Sequence, residues 1–173
     1  MSPLVPARPH TDVTWLDLDE TQVAVLRHDA VSVTDLPTLF DAGFRALGAL
    51  IASGAVTPTG PAVAIYHGDP SQVFDIEIGF PIARPLADPL STPAGDITGS
   101  VVTAGPAAAF SHLGPYDTLA TAWEKLMTAV HTAGVPLRAG GLVEVYVTEP
   151  TPDVDPATMR TDVIALTDRV AVS

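Results

Sequence analysis

The chain has 173 residues, 47% of them hydrophobic, and sets 8 basic against 20 acidic side chains for a formal net charge of −12. That composition supports a packed core and excludes a disordered chain, and the acidic balance without a Lys/Arg stripe argues against direct nucleic-acid binding. Cysteine is absent, which removes disulfides, thiolate catalysis and Cys-ligated zinc, and no apolar run approaches the roughly 20 residues of a membrane span.

The opening "MSPLVPARPH" lacks the apolar heart of a signal peptide and, with the two residues after it, reads as a Pro-rich tail (1–12) before a single domain over 13–173. A cytoplasmic location is expected. "TQVAVLRH" (21–28) alternates β-branched and polar residues as a strand does. In "TDLPTLFDAGFRALGALIAS" (34–53) the residues Leu36, Leu39, Phe40, Phe44, Leu47, Leu50 and Ile51 recur at helical spacing. Thr34 or Asp35 is placed to cap this helix, Pro37 suits its first turn, and Gly54 suits its end. Two strands follow, "AVAIYHG" (62–68) and "VFDIEIGFPI" (73–82).

Residues 81–100 are rich in Pro, Gly and Ser and read as a connection, with a short strand expected around 97–103 because it is long for a bare loop. "AAAFSH" (107–112) is the next strand. "LGPYDTLATAWEKLMTAVHTAG" (113–134) gives a turn and then a helix whose stripe is Leu119, Ala122, Trp123, Leu126, Met127 and Val130, stopped by Gly134. The last strands are "LVEVYVT" (142–148) and "TDVIALT" (161–167), joined by a turn-rich loop over 149–159.

The second half repeats the first. "GPAVAIYHGDP" (60–70) aligns without a gap on "GGLVEVYVTEP" (140–150), with Gly60/Gly140, Val63/Val143, Tyr66/Tyr146 and Pro70/Pro150 identical. The same offset links Gly54/Gly134, Ala49/Ala129, Ala42/Ala122, Leu39/Leu119 and Thr38/Thr118. The expected fold is therefore α+β: duplicated βαββ units (about 13–82 and 97–167) forming a curved antiparallel sheet, helices on one face, and a ligand cleft between the repeats. Alternation sets Val143, Val145 and Val147 on one face, expected under the helices, and Leu142, Glu144 and Tyr146 on the other, expected to be uncovered. Ala62, Ala64 and Tyr66 are the counterparts in the first copy, and Glu77 and Asp162 are expected on the same uncovered face. Ala64 stands where the second copy has Glu144.

Read from spacing alone, Glu144 is an acid on an open sheet face, and Trp123 belongs to the core stripe of its helix. Tyr66 and Tyr146 read equally as good strand residues or as paired walls of a cleft. His67 and His112 read as structural histidines, with His67 on the helix-facing side. Five histidines without an HExxH-type spacing give no metal site. The glycine-bearing loops match no phosphate fingerprint, and Ser111 and His112 point to opposite faces, so no serine triad forms. No cofactor is expected, and the oligomeric state is open.

At "AVLRH", "AIYHGDP", "FDIEIGFPI", "HLGPYDTLATAWEKL", "VEVYVTEP" and "RTDVIAL" the sequence resembles the GyrI-like small-molecule-binding domain, the effector-binding module of bacterial drug-responsive activators, from about Val13 to Thr167. The resemblance implies the effector-binding-domain fold and a ligand cleft whose glutamate is Glu144. Its walls would fall on Tyr66, Tyr146, Trp123 and Phe80, with His112 and Tyr116 at the entrance to the second helix. Asp162 and Leu166 depart from the family pattern, which often has Glu and Pro there. Without a helix-turn-helix segment in the sequence, the activator role is not carried over. The expected partner is a hydrophobic or cationic small molecule, an antibiotic or xenobiotic, bound for sequestration or resistance. Two alternatives follow from stand-alone relatives: a cofactor-independent hydrolase of cyclopropane-containing DNA alkylators, with Glu144 as general base and Tyr146 as proton donor, and an acidic inhibitor of gyrase type.

Overall fold

The computed structural model describes residues 1–172, which hold nine strands and two α-helices in two compact units. The first unit is Thr21–Val102; the second joins Met1–Glu20 to the chain from Thr103 onward. Each is an antiparallel sheet with one helix on one of its faces.

In the first unit, β2 (Thr21–Val31), β3 (Val63–His67), β4 (Phe74–Pro81), β5 (Leu90–Thr92) and β6 (Gly95–Val102) run in the order β3–β4–β2–β6–β5. The short strand expected around 97–103 is β6, which starts two residues earlier and pairs with β2 from Thr21↔Val102 to Leu26↔Ile97, and the connection supplies β5 besides. Pairing covers a strand edge that would otherwise stay open. Helix α1 (Leu36–Ala52) carries Pro37 in its first turn, and Gly54 follows it at φ 80°. It lies against the row Ala64–Ile78–Leu26, so closely that a Cβ on Gly43 would stand 2.4 Å from Ile78 Cδ1. On the opposite face Arg27 donates to Asp29, Asp75 and Glu77 at 2.8, 3.0 and 3.1 Å, and His67 Nε2 meets Glu77 Oε1 at 3.1 Å. His67 is therefore on the helix-free side, and Ala64 with Tyr66 on the helix side, the reverse of the expectation for each.

In the second unit, β1 (Thr14–Leu18), β7 (Gly105–Leu113), β8 (Leu137–Tyr146) and β9 (Arg160–Thr167) run β1–β7–β9–β8. Helix α2 (Leu119–Thr132) buries Ala122, Leu126 and Val130, and Gly134 follows it at φ 66°. The register sets three rows on the face under α2: Ala108–Ala165–Leu142, Phe110–Val163–Glu144 and His112–Thr161–Tyr146. Lys125 of α2 lies 4.5 Å over the Phe110 ring, and Trp123 of α2 bonds Glu144, which fixes the covered face.

This corrects the expected parity. Glu144 and Tyr146 are on the helix side, while Val143, Val145 and Asp162 are on the other; only the outward position of Asp162 and Glu77 agrees. The physical reason is that both faces are buried. Val143 and Val145 are fully inaccessible although no helix covers them, so an apolar run does not mark which side the helix takes.

The segment expected as a tail is tied to the helix-free face. Asp162, 1% exposed, accepts from Arg160 Nη2 at 2.7 Å, Arg160 Nε at 2.9 Å and Ser111 Oγ at 2.6 Å. Arg160 also donates to Pro6 O at 3.1 Å, Ser111 Oγ accepts from His10 N at 2.8 Å, and Ser111 N donates to His10 O at 3.1 Å. One buried ion pair thus fastens residues 6–10 to β7 and β9.

Two outcomes follow. Asp162→Asn leaves the Arg160 guanidinium buried beside a neutral group and is expected to cost about 3–5 kcal/mol in urea unfolding. Burial pushes the His10 imidazole below its ordinary value of 6.5, against the pull of Asp162 and with the help of Arg160. The unfolded chain then binds a proton that the folded chain refuses, so this contribution is present above 6.5 and is lost as pH falls toward the depressed value. Unfolding midpoints between pH 7.5 and 5.5 are expected to fall less steeply in His10→Gln than in the parent chain.

Candidate functional site

Glu144 sits in the middle of β8 and faces α2. Its carboxylate is 7% exposed and is held on both oxygens: Trp123 Nε1 donates to Oε1 at 2.8 Å, and Tyr146 OH donates to Oε2 at 2.6 Å. The geometry follows from spacing. Tyr146 is two residues along the same strand and so shares the face, and Trp123 lies on the flank of α2 that overhangs β8. Two donors of charge-assisted hydrogen bonds offset the desolvation of a carboxylate that burial alone would penalise.

A second tyrosine extends the cluster. Tyr116 lies in the 3₁₀ turn (Tyr116–Thr118) that leads into α2, 41% exposed, with its ring centroid 6.0 Å from that of Tyr146 in an edge-to-face arrangement. Its phenol is pushed above 10 by burial first and then by the charge of Glu144, so it stays a protonated donor at neutral pH. His112 at the end of β7 acts on the turn itself: its Nε2 lies 2.9 Å from Pro115 O and 3.1 Å from Thr118 Oγ1. Of the seven residues singled out in the sequence, five therefore belong to this unit, and four of them form one aromatic–carboxylate group.

Tyr66 and Phe80 belong to the first unit. There Tyr66 packs on Phe74 with centroids 5.6 Å apart, and Phe80 meets Phe44 of α1 edge-on at 6.0 Å.

Sequence reasoning missed Thr161. It lies between Tyr146 and His112 in register, is 1% exposed, and its hydroxyl has no hydrogen-bond partner among the described residues. The first unit places Ile76 at the equivalent point, between Tyr66 and His28. Aligning the last strand of each repeat, as was done for Tyr66 and Tyr146, would have exposed this Ile-to-Thr exchange.

The family now stands on more than motifs. The model of the GyrI-like small molecule binding domain matches residues 11–165, and the chain belongs to this family. It is similar in fold to the C-terminal domain of EcmrR, at 20% identity and TM-score 0.68 over 92% of this chain and 98% of that one. It is similar also to SAV2435 bound to tetraphenylphosphonium, at 8% identity and TM-score 0.68 over 91% and 94%. A hydrolase encoded by lin2189 from Listeria innocua shares the fold at 9% identity and TM-score 0.58 over 94% of each chain. No curated protein matches the sequence. No helix among the described residues is long and apolar enough to cross a membrane.

The orphaned hydroxyl gives a direct test. Thr161→Val keeps the shape and removes a buried polar group, and it is expected to raise stability by about 1 kcal/mol in urea unfolding. A drop of similar size would mean that the hydroxyl has a partner in solution.

Proposed function

We propose that the second unit binds a lipophilic aromatic cation, with Glu144 as the charge partner and Tyr116, Tyr146 and Trp123 as the surfaces on which its rings stack. The observation that carries this is the buried Glu144 carboxylate fixed by two neutral aromatic donors. Both of these donors are neutral, and a cation approaching the carboxylate through a low-dielectric aromatic surround gains more than it would in water. The exposed edge of Tyr116 is the point at which a flat ligand first makes contact. That a protein of the same fold is bound to tetraphenylphosphonium supports the ligand class.

A second reading has its own observation. The 2.6 Å bond between Tyr146 OH and Glu144 joins a general base to a phenol that can give up a proton. For a cyclopropane conjugated to a carbonyl, Glu144 would take a proton from water as the water oxygen bonds to a ring carbon. The breaking C–C bond would send its electrons to the carbonyl oxygen, which Tyr146 would protonate. Glu144 would then return its proton to Tyr146 across their shared hydrogen bond, so that the site ends as it began.

Isothermal titration with tetraphenylphosphonium separates these readings from inert packing. Saturable binding is expected, about ten-fold weaker or more in Glu144→Gln, where the charge is gone but the shape remains. At a ligand concentration of about 100 times Kd the unfolding free energy should rise by about 2.7 kcal/mol. No binding in either protein would sink the cation site. Incubation with a cyclopropane-bearing alkylator, followed by mass spectrometry, tests the second reading: a hydrated product that disappears in Glu144→Gln supports hydrolysis, and recovery of intact alkylator rules it out.

A further inference from the structure

A cavity of about 570 Å³ lies in the second unit along the flank of α2 that faces away from Glu144, a size common for small-molecule sites. Neither Glu144, Trp123, Tyr146 nor Tyr116 lines it. One wall is Thr121 and Lys125 of α2 with Thr118, the residue that precedes the helix, and the floor is Phe110 with His112 of β7. The other wall is Pro9, His10 and Thr11. Of these, Pro9 and His10 precede the residues matched to the family, and Thr11 is the first of them.

That wall is built rather than draped. The bond from His10 N to Ser111 Oγ, the backbone bond from Ser111 N to His10 O, and the bond from Arg160 to Pro6 O hold the segment alongside β7. Arg160 is in turn locked by the buried Asp162. The opening therefore does not depend on a free chain end.

The charge of the lining points to the ligand. A chain with 20 acidic and 8 basic residues lines this cavity with Lys125, two imidazoles and several hydroxyls, and with no carboxylate. The Lys125 ammonium stands 4.5 Å over the Phe110 ring, so a cation and an apolar plate are presented together. Its acidic contact is Asp12 at 3.2 Å, with a side chain 87% exposed. A pair so open to solvent is weak, and another carboxylate can replace it.

We propose that this cavity is a second binding site, for a small aromatic carboxylate whose acid group displaces Asp12 from Lys125 and whose ring packs in the cavity beside Phe110. It is independent of the cation site, and the two would take ligands of opposite charge on the two flanks of one helix.

The probe is 2-naphthoate, titrated into the ¹⁵N-labelled full chain and followed by amide chemical shifts. Saturable shifts are expected at Thr11, Thr121 and Lys125. Lys125→Met keeps the apolar stem and should weaken binding about ten-fold, as should replacing the probe by neutral 2-naphthamide, the size of losing one charge-assisted contact. Asp12→Asn should strengthen it, because the competing acid is gone. Glu144→Gln should leave it unchanged. Shifts that do not saturate, equal affinity in Lys125→Met, or shifts centred on Trp123 and Tyr146 would each overturn the proposal. A failure of tetraphenylphosphonium to bind would count against the cation site alone.

Discussion

A carboxylate taken out of water must be met by hydrogen bonds, and much of the second unit is arranged around that requirement at Glu144. A buried acid left without donors costs several kcal/mol or gives up its charge. Here both oxygens are met, one from the strand that carries the acid and one from the helix above it. The Trp123 indole comes from the flank of α2 turned toward β8 and meets Glu144 Oε1 at 2.8 Å. Tyr146 is fixed by its own bond to Glu144 Oε2, and Tyr116 by its ring contact with Tyr146. A chain of contacts thus runs from a buried acid to an exposed phenol.

The first unit solves the same packing problem without the acid. By the repeat alignment Gly43 stands where Trp123 does, Ala64 where Glu144 does, and by strand register Ile76 where Thr161 does. All three exchanges are in one direction. With Gly43 on the helix, α1 closes onto Ile78 until no room is left for even a methyl group. In the second unit Trp123 instead reaches across to the Glu144 carboxylate on the sheet. An isolated Ala64→Glu exchange would bury an acid against Ile78 and Ile76 without the indole donor that Trp123 supplies to Glu144, because Gly43 stands at that helix position.

How much of this was legible depends on what each residue encodes locally. The helices, their glycine stops and most strands are written in periodicity and turn chemistry, and the duplication is written in identities such as Tyr66/Tyr146. The face that each helix covers is not. Alternation separates Val145 from Glu144 but carries no label for the helix side, and the usual label, a run of apolar residues, fails when both faces are buried. The N-terminal segment misled for a different reason: its prolines and lack of periodicity are those of a tail. What orders it is Arg160, more than a hundred residues away, through the carbonyl of Pro6. Strand β5 was masked by the prolines that turn out to bound it, Pro89 and Pro93, whereas β6 answers to the short strand expected around 97–103.

The two sheets also share a device on their helix-free faces. Glu77 of β4 and Asp162 of β9 are both buried acids, and each is held by an arginine. In the first unit Arg27 comes from the neighbouring strand and divides itself among three carboxylates near the surface, so its hold on Glu77 is a single contact at 3.1 Å. In the second unit Arg160 gives Asp162 two bonds, and Ser111, in register with Asp162 as Arg27 is with Glu77, adds a third. Replacing an arginine by a serine at that strand position shortens the side chain, and the Ser111 hydroxyl is free to take the amide of His10. The ordered N-terminal segment, and with it the outer wall of the second cavity, follows from that exchange: the first unit keeps its arginine and its exposed carboxylates, while the second unit trades them for a buried pair that can carry a strand of chain.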